Sequence, residues 1–471
     1  MGDTRFLLPC LGDDGVTDLG QSTAFKALIK RASLIAASIL AVAFDAAAQD
    51  SHYWTYQYGT RANLLSGAVV GSVVDISAAY YNPGALSLVE DISIIATQKV
   101  FELSSLKFDP AVGVDASLNE LRLDLAPGYF AGILPFHFLG NDVLAYSLFT
   151  RYLFKSDINA VAQGDQAEVT DSLTGDFFSS VGFVRELNES WVGLSYSSPF
   201  QDVMGLGLTA YVSYRSQKGS RGFTFESLND SDESFISIRE RAFSYWNAAI
   251  LFKGGIAFDW LGASVGLTVT TPRINLFGDG KVVFNRSVFN SENVFVADYQ
   301  EGLSSTYKTP WSVALGAAYK RESTTLHVTT EYFAPVGEFT VLSPEPFVGQ
   351  STGDTIVVQI TQQLADVLNF GIGVEHIFKP HLSGYLSFRT DFSADIEGSD
   401  DTADIGATGW DIYFITAGAA FRLGNADLTA GLAFGWGSSR SQLPDDPALP
   451  LPTSTVAMKY RTLRLILAFA I

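Results

Sequence analysis

Hydrophobic and polar residues alternate with a period of two from about residue 91 to residue 471. Because successive side chains of a β-strand point to opposite faces, this period predicts strands with one apolar face and one face of polar or small residues. The last segment shows the pattern clearly. One face carries Leu463, Leu465, Leu467, Phe469 and Ile471, and the other carries Thr462, Arg464, Ile466, Ala468 and Ala470.

The spacing of aromatic residues along a strand indicates what the apolar face contacts. Trp311 and Tyr319 end one apolar face and stand about 26 Å apart at a rise of about 3.3 Å per residue. That distance is close to the height of the apolar band between the aromatic girdles of a membrane barrel. We therefore predict an all-β fold, a transmembrane antiparallel β-barrel. A soluble β-sandwich or β-helix, whose strands also alternate, is the alternative.

Turn residues divide the alternating region into about fourteen strands, an even number that is typical of bacterial barrels. Short turns are predicted at residues 139–142, 260–262, 321–323, 379–381 and 423–425. Longer polar loops are predicted at residues 109–120, 217–240, 291–305, 336–354, 394–408 and 440–455. Short turns on one side and long loops on the other favour an outer-membrane barrel with its turns in the periplasm.

The start of the chain carries the pattern of an export signal, predicted over residues 26–48. Basic residues precede an apolar run at residues 32–44, and Ala46-Ala47-Ala48 offers small residues for cleavage. Residues 1–25, which hold the only cysteine, are expected to be an extension or the product of a start codon assigned too early. We expect the mature protein to reach the outer membrane of a Gram-negative-type envelope.

Charge and histidine placement exclude several classes of partner. The formal net charge of −20 argues against nucleic acid. Acidic runs at residues 226–233 and 395–404 are interpreted as solvated loop surface rather than calcium sites. The histidines are scattered singly, so no metal site is predicted, and we expect no cofactor.

Residues 49–90 interrupt the alternating pattern. The stretch from Tyr53 to Leu86 does not alternate and contains Gly67, Gly71 and Pro83. It is rich in apolar residues and has few charges, so it must be buried against another part of the protein. The inside of the predicted barrel, residues 91–471, is the available place. We therefore predict an N-terminal hatch, or plug, over residues 49–90.

The predicted hatch resembles that of the FadL-type family of outer-membrane transporters for long-chain fatty acids and other hydrophobic compounds. The resemblance depends mainly on Tyr81-Asn82-Pro83-Gly84-Ala85-Leu86, with weaker support from Gly59-Thr60-Arg61, Gly193-Leu194-Ser195-Tyr196 and Gly373-Val374-Glu375-His376. It implies a hatch-plugged barrel that takes up fatty acids or aromatic hydrocarbons by diffusion, after capture at extracellular loops.

Two positions depart from the family pattern. The family's hatch motif reads Asn-Pro-Ala and corresponds here to Asn82, Pro83 and Gly84, where glycine is expected to loosen the backbone by roughly 1 kcal/mol. In the family, a kinked third strand opens the wall. The third segment here, residues 142–151, has no glycine or proline to mark such a kink, whereas Ala126-Pro127-Gly128 in the preceding strand would break the ladder, since proline cannot donate to it.

Apolar side chains in the predicted loops are candidates for ligand capture, because a poorly soluble substrate gains about 0.8 kcal/mol for each methylene that it buries. The alternative is that they only pack their own loops. A fatty carboxylate would also bind a cation inside the barrel, although such cations commonly form structural ion pairs. The capture candidates are Phe223, Phe225, Phe284, Phe289 and Phe295, and the cation candidates are Arg122, Arg151 and Arg389.

Two other functions fit the same sequence. One is a structural or porin-like surface barrel whose hatch merely seals it. The other is an outer-membrane lipase, because His381 and Ser383 share a strand face. His381, however, follows Pro380 in a predicted turn, and no partner stands at matching spacing to orient it. We therefore expect no enzyme activity, and as partners hydrophobic small molecules, outer-membrane lipid and the barrel-insertion machinery.

Overall fold

The computed structural model describes the protein at residues 52–72, 75–89, 94–109, 118–126, 128–135, 141–165, 176–201, 203–228, 234–289, 293–396, 409–424, 426–442 and 455–470. The expected extension and signal peptide, residues 1–25 and 26–48, lie outside these residues, as does the side chain of Arg122. Within the described residues, no helix has the length and apolarity needed to cross a membrane.

Three short helices precede the strands: α1 (Thr60–Leu64), α2 (Ala78–Tyr81) and a 3₁₀ helix (Pro83–Leu88). The all-β fold class is confirmed, because the described residues that follow are mostly strand. The strands are β1 (Ile95–Asp109), β2 (Leu118–Ala126), β3 (Tyr129–Leu134), β4 (Val143–Asp165), β5 (Asp176–Phe200), β6 (Met204–Leu228), β7 (Ser234–Trp260), β8 (Ala263–Thr270), β9 (Ile274–Phe289), β10 (Val294–Ser304), β11 (Ser312–Arg321), β12 (Thr324–Phe333), β13 (Val336–Leu342), β14 (Phe347–Val348), β15 (Thr355–Ile356), β16 (Ile360–Leu364), β17 (Val367–Lys379), β18 (Leu382–Asp391), β19 (Ile412–Leu423), β20 (Ala426–Gln442) and β21 (Thr455–Ala470).

A single antiparallel sheet contains 17 of these strands, and β13 with β16 and β14 with β15 form two separate pairs. Three strands of the sheet are interrupted, so that β2 continues as β3, β8 as β9 and β10 as β11. Counted in this way, the 17 segments make fourteen strands, in agreement with the sequence. The first strand, β1, pairs with the last, β21, from Ile95↔Ala470 to Asp109↔Ala457.

The two faces of the sheet differ sharply in exposure. In β21, Leu463, Leu465 and Leu467 are 40–45% exposed, whereas Thr462 and Arg464 are at most 5% exposed. The predicted division into an apolar outer face and a polar or small-residue inner face is confirmed for this strand. Large apolar side chains are exposed in the same alternation on most strands of the sheet, which is far more apolar surface than a soluble monomer presents.

The inner face is covered by the N-terminal segment, which comprises the described residues from 52 to 89. Most of its apolar residues pack in one cluster with aromatic side chains of the sheet, and Tyr53 and Trp54 pack in a second cluster. The Tyr58 hydroxyl donates to the carbonyl of Thr150 (2.6 Å), and the Tyr211 hydroxyl donates to the carbonyl of Ala79 (2.6 Å). The segment is therefore held against the inner face by apolar packing and by hydrogen bonds together.

Short turns are found at residues 260–262, 321–323 and 379–381, as the sequence predicts, but two of the predicted long loops are largely strand. Leu261, Gly262, Glu322 and Gly424 have φ angles from 50° to 84°, as tight turns require. The predicted loop at residues 217–240 is wrong, because β6 and β7 stay paired as far as Leu228↔Ser234. Polar residues can continue a strand because the ladder joins backbone groups, whatever side chains they carry. The predicted loop at 291–305 likewise contains β10.

The connection between β12 and β17, predicted as a loop at residues 336–354, folds onto the inner face. Phe339, Leu342 and Ile360 from β13 and β16 share a buried cluster with Phe243 and Tyr245 of β7. This connection therefore adds to the core instead of projecting away from the sheet.

The tip of the same connection covers an edge of β10. The Gln350 side chain accepts a hydrogen bond from the Ala297 N–H (2.9 Å) and donates one to the Ala297 carbonyl (2.7 Å). One amide group thus gives the backbone of β10 the two partners that a neighbouring strand would provide.

Gly84 lies where the 3₁₀ helix meets β6 and β7. A Cβ atom at this position would lie 2.6 Å from the carbonyl oxygens of Gly205 and Gly255. That distance is well below van der Waals contact, so no larger residue fits without movement. The glycine in the motif is therefore explained by the close approach of two backbones rather than by a need for conformational freedom.

We predict that Gly84→Ala lifts the 3₁₀ helix from the sheet, because the methyl group meets backbone on both strands. Overpacking of this kind costs about 1–3 kcal/mol. Hydrogen exchange of the peptide spanning residues 83–88 should accelerate in this variant. Gly222→Ala in β6 is the matched control, since no atom lies within 4 Å of the position that its methyl group would take. Equal exchange of residues 83–88 in the two variants would contradict the prediction.

Candidate functional site

A cavity of about 560 Å³, including its open mouth, lies between the N-terminal segment and the inner face of the sheet. Tyr53 and Tyr80 of the N-terminal segment form one side. The sheet forms the other side with apolar and aromatic surface. Its residues there are Tyr152, Trp191, Leu251, Pro310 and Phe333.

Two cations lie at this cavity. Arg151 is 6% exposed and donates from Nη2 to the carbonyl of Tyr53, while its Nη1 has no hydrogen-bond partner among the described residues. Lys253 is 7% exposed, and its ammonium lies 4.7 Å from the centroid of the Tyr80 ring. Described residues give this ammonium no hydrogen bond or ion pair. Both cations therefore keep unused donors at the cavity.

The two carboxylates in the cavity lining are engaged by other groups. Glu331 accepts hydrogen bonds from Trp54 Nε1 (2.8 Å) and from Ser312 Oγ (2.7 Å). Glu189 accepts one from Trp191 Nε1 (2.6 Å) and pairs with Arg215. The cavity thus combines apolar walls with two cations whose donors are not all used. Such a site suits a ligand with an anionic group and an apolar body.

Behind the cavity, two arginines share the lining residue Glu189. It lies 2.8 Å from Arg215 Nη1 and 3.6 Å from Arg273 Nη1, with all three side chains at most 1% exposed. Both guanidinium groups stack on Tyr307, at 4.0 and 4.4 Å from its ring centroid. This network joins β5 and β6 to the interruptions in β8–β9 and β10–β11.

The predicted cations are separated by the structure. Arg151 lies at the cavity, but Arg389 donates to the carbonyl of Thr55 (3.2 Å) and stacks on Phe414, 4.0 Å from its centroid. Arg122 pairs in the ladder opposite Ser104, and its side chain lies outside the described residues. Arg389 therefore anchors the N-terminal segment, and it does not line the cavity.

Lys253, Glu189 and Arg215 were not predicted from the sequence. Their partners lie on other strands, so spacing along the chain gives no signal for the network. Lys253 does stand on the same face as the buried residues Ala249 and Leu251. A lone cation at an inner-face position is the one sequence feature that would have indicated it.

The five phenylalanines lie on strands and not in loops, contrary to the prediction. Phe225 is 3% exposed and stacks on Phe177, and Phe284 packs against the cluster around Tyr245. Phe289 and Phe295 are 45% and 49% exposed. The strand pairing places Phe223, Phe225 and Phe284 on the inner face, and Phe289 and Phe295 on the outer face. The five residues therefore do not form one surface.

The wall is interrupted beside Arg151, although the sequence marks no kink there. The β3–β4 ladder ends at Tyr129↔Phe149, and β4 has a register shift between Thr150 and Tyr152. Beyond that point β2 pairs with β1 and β4 pairs with β5, and no ladder joins β2 to β4 among the described residues. A β-bulge needs neither glycine nor proline, so the sequence could not reveal it. The predicted break at residues 126–128 is also present, between β2 and β3.

The candidate lipase residues lie far from this cavity. His381 is exposed in the turn between β17 and β18, and Ser383 pairs with Ile377 and Ala420 within the sheet.

Comparison of the sequence with protein-family models and with curated proteins gave no match. Solved structures do match the fold. A Pseudomonas aeruginosa FadL homologue has a TM-score of 0.59 at 12% identity, over 89% of this chain and 99% of that one. The P. putida toluene transporter TodX has a TM-score of 0.57 at 11% identity, over 88% and 98%. A deltaS2 mutant of the TodX monoaromatic hydrocarbon channel has a TM-score of 0.55 at 12% identity, over 90% and 96%.

These neighbours are channels and transporters, and the chain shares their architecture over most of its length. It has the FadL-type fold. The resemblance that the sequence indicated through its Asn82-Pro83-Gly84 motif is thus confirmed at the level of the fold.

We predict that Glu189→Gln destabilises the protein strongly, because it leaves two buried guanidinium groups without a counter-charge. Breaking a buried ion pair costs about 3–5 kcal/mol. The denaturant midpoint of the protein in lipid or detergent would report the loss.

Glu186→Gln on the same strand is the matched control. Its pair with Lys155 (2.8 Å) has side chains 42% and 62% exposed, so its loss should cost at most about 1 kcal/mol. Shifts of similar size for the two variants would show that the network carries no special share of the stability.

Proposed function

We propose that the sheet is a closed barrel in the outer membrane and that the N-terminal segment is its hatch. Pairing of β1 with β21 supports closure, because it leaves the first and last strands with a neighbour on each side. The exposed apolar outer face supports contact with lipid, where every backbone group of the wall must be paired. Burial of residues such as Asn82, which is 0% exposed, supports a segment seated inside the barrel.

We propose further that the protein is a channel for passive uptake of hydrophobic compounds. The cavity carries this proposal, since it joins apolar walls to two cations with unused donors. Phe289 and Phe295, exposed near the loop end of the sheet, would meet a ligand first. The cavity between hatch and wall would hold it next, and the gap between β2 and β4 beside Arg151 offers a route through the wall.

Within this class, the cavity favours an amphiphilic anion such as a long-chain fatty acid over a neutral hydrocarbon. A neutral ligand would leave Nη1 of Arg151 buried without a hydrogen-bond partner, which is costly, and would offer no counter-charge to the ammonium of Lys253. A carboxylate satisfies both while its tail contributes about 0.8 kcal/mol per buried methylene. The TodX neighbours are named for toluene and monoaromatic hydrocarbons, so the two cations mark a difference to be tested.

We predict that Lys253→Met weakens binding of a long-chain fatty acid by about ten- to a hundredfold, because a hydrogen bond to a charged group is worth about 1.5–3 kcal/mol. Binding of the corresponding methyl ester should not change. Fluorescence titration of the full protein in detergent or liposomes measures both. Lys281→Met, an exposed position on β9, is the control and should behave as the wild type.

Uptake of labelled fatty acid into liposomes tests the channel itself. Liposomes that contain the protein should take up the label faster than empty ones. Equal uptake would contradict the channel and would favour a barrel that the hatch merely seals. Equal weakening of acid and ester by Lys253→Met would refute the role of the ammonium while leaving the channel intact.

A further inference from the structure

A second interruption of the wall lies away from the gap between β2 and β4. Strands β8–β9 break at residues 271–273, and the neighbouring strands β10–β11 break at residues 305–311. Ladder pairing stops at Thr270↔Ser312 on one side of this region and resumes at Asp279↔Ser304 on the other. The two breaks are therefore adjacent in the sheet and at the same level.

Side chains hold the two strands together across this region. The Arg273 N–H donates to Thr309 Oγ1 (3.0 Å), and the Tyr307 N–H donates to Asn275 Oδ1 (3.2 Å). Thr271 similarly replaces a ladder partner by accepting from the Phe252 N–H at its Oγ1 (3.0 Å). The Ser305 N–H still donates to the Gly278 carbonyl (3.4 Å) at one end of the region, but side chains replace the ladder partners of Arg273 and Tyr307.

The residues that would otherwise fill the break turn inward. Arg273 and Tyr307 are 5% and 0% exposed and belong to the network around Glu189. Their side chains therefore lie in the buried network around Glu189 and not in the break itself.

The cavity reaches this break from inside. Thr271, Thr309 and Pro310 are part of its lining, and Arg151 and Tyr152 beside the β2–β4 gap are part of the same lining. The cavity therefore borders two interruptions of the sheet, one near Thr309 and one near Tyr152.

The outer rim of the break is apolar. Ile274, Leu276 and Phe277 are 59%, 49% and 62% exposed, and a register shift between Ala248 and Ala249 brings these neighbours together. An exposed apolar cluster beside a break in the ladder gives a hydrophobic ligand an apolar surface on both sides of the break.

Both interruptions stand at the same height. Thr271 is nine positions beyond the turn residue Gly262, and Tyr152 is ten beyond Asp142. Nine residues rise about 30 Å along a strand, or about 23 Å across a membrane at a tilt of about 40°. With an apolar band about 25 Å tall, the break opens at the outer edge of the bilayer.

We propose that residues 271–275 and 305–310 frame a second side window, through which apolar ligands pass between the cavity and the outer leaflet. This rests on the proposed function as far as passage is concerned. The window itself can be tested without any ligand.

The mature chain after residue 48 has no cysteine, so single cysteines can report access. Thr309→Cys stands in the break, whereas Ser312→Cys lines the same cavity inside an intact ladder pair. In liposomes, an N-alkylmaleimide dissolved in the bilayer should label Thr309→Cys faster than Ser312→Cys. A water-soluble maleimide should label the two at similar rates. Equal protection from the bilayer reagent would overturn the window.

Passage is tested by closing the window. Ile274→Trp, at the exposed rim of the break and outside the cavity lining, should lose up to half of the fatty-acid uptake while binding in the cavity is unchanged, because the β2–β4 gap remains. Wild-type uptake in Ile274→Trp would overturn the passage. If the bilayer reagent labels Thr309→Cys but the wild type takes up no fatty acid, the proposed function is refuted and the window is not.

A photoactivatable fatty acid gives a readout that does not depend on folding of a variant. Crosslinks in the wild type should fall on residues 271–277 and 305–311 as well as around residue 152. Crosslinks around residue 152 alone would contradict a second route.

Discussion

The pairing of backbone N–H and C=O groups is the constraint on which this structure depends. If the sheet faces lipid, as we propose, its backbone has no other source of hydrogen-bond partners, and long strands that leave no open edge meet that need. Strands β5 and β6 each continue for 25 residues, well past the point where their side chains turn polar. The pairing of β1 with β21 follows from the same need.

The cavity lies where this pairing is relaxed. The bulge in β4 and the breaks near residues 271 and 305 each surround the cavity, and threonine and asparagine side chains replace ladder partners there. A wall can tolerate such places only if its polar groups are satisfied in another way. The buried Glu189 network supplies rigidity where the ladder does not.

The sequence predicted the fold well because alternation directly records which side of a strand is buried. It also indicated that residues 52–89 are buried against another part of the protein, since an apolar stretch without alternation has to be covered. It failed at residues 217–240, because polar residues in a paired ribbon and in a loop look alike when the partner strand is unknown. The register shift after Thr150 was also missed, because no glycine or proline marks it in the sequence.

The site was predicted only in part, for a similar reason. Arg151 and Arg389 are both lone arginines in strands, and nothing in the chain distinguishes them. The two arginines differ in the carbonyl of the N-terminal segment that each one meets. Arg151 donates to the carbonyl of Tyr53, and Arg389 donates to that of Thr55. Lys253 was missed because its isolation becomes visible only when every neighbouring strand is in place.

The amide of Gln350 has a consequence for how the molecule coexists with its own copies. An uncovered strand margin acts as a template on which foreign chains add and grow into fibrils. Gln350 occupies both main-chain groups of Ala297. A strand from another chain therefore cannot pair with β10 at this residue. A second copy of the chain likewise finds no free backbone group at Ala297 on which to add a strand.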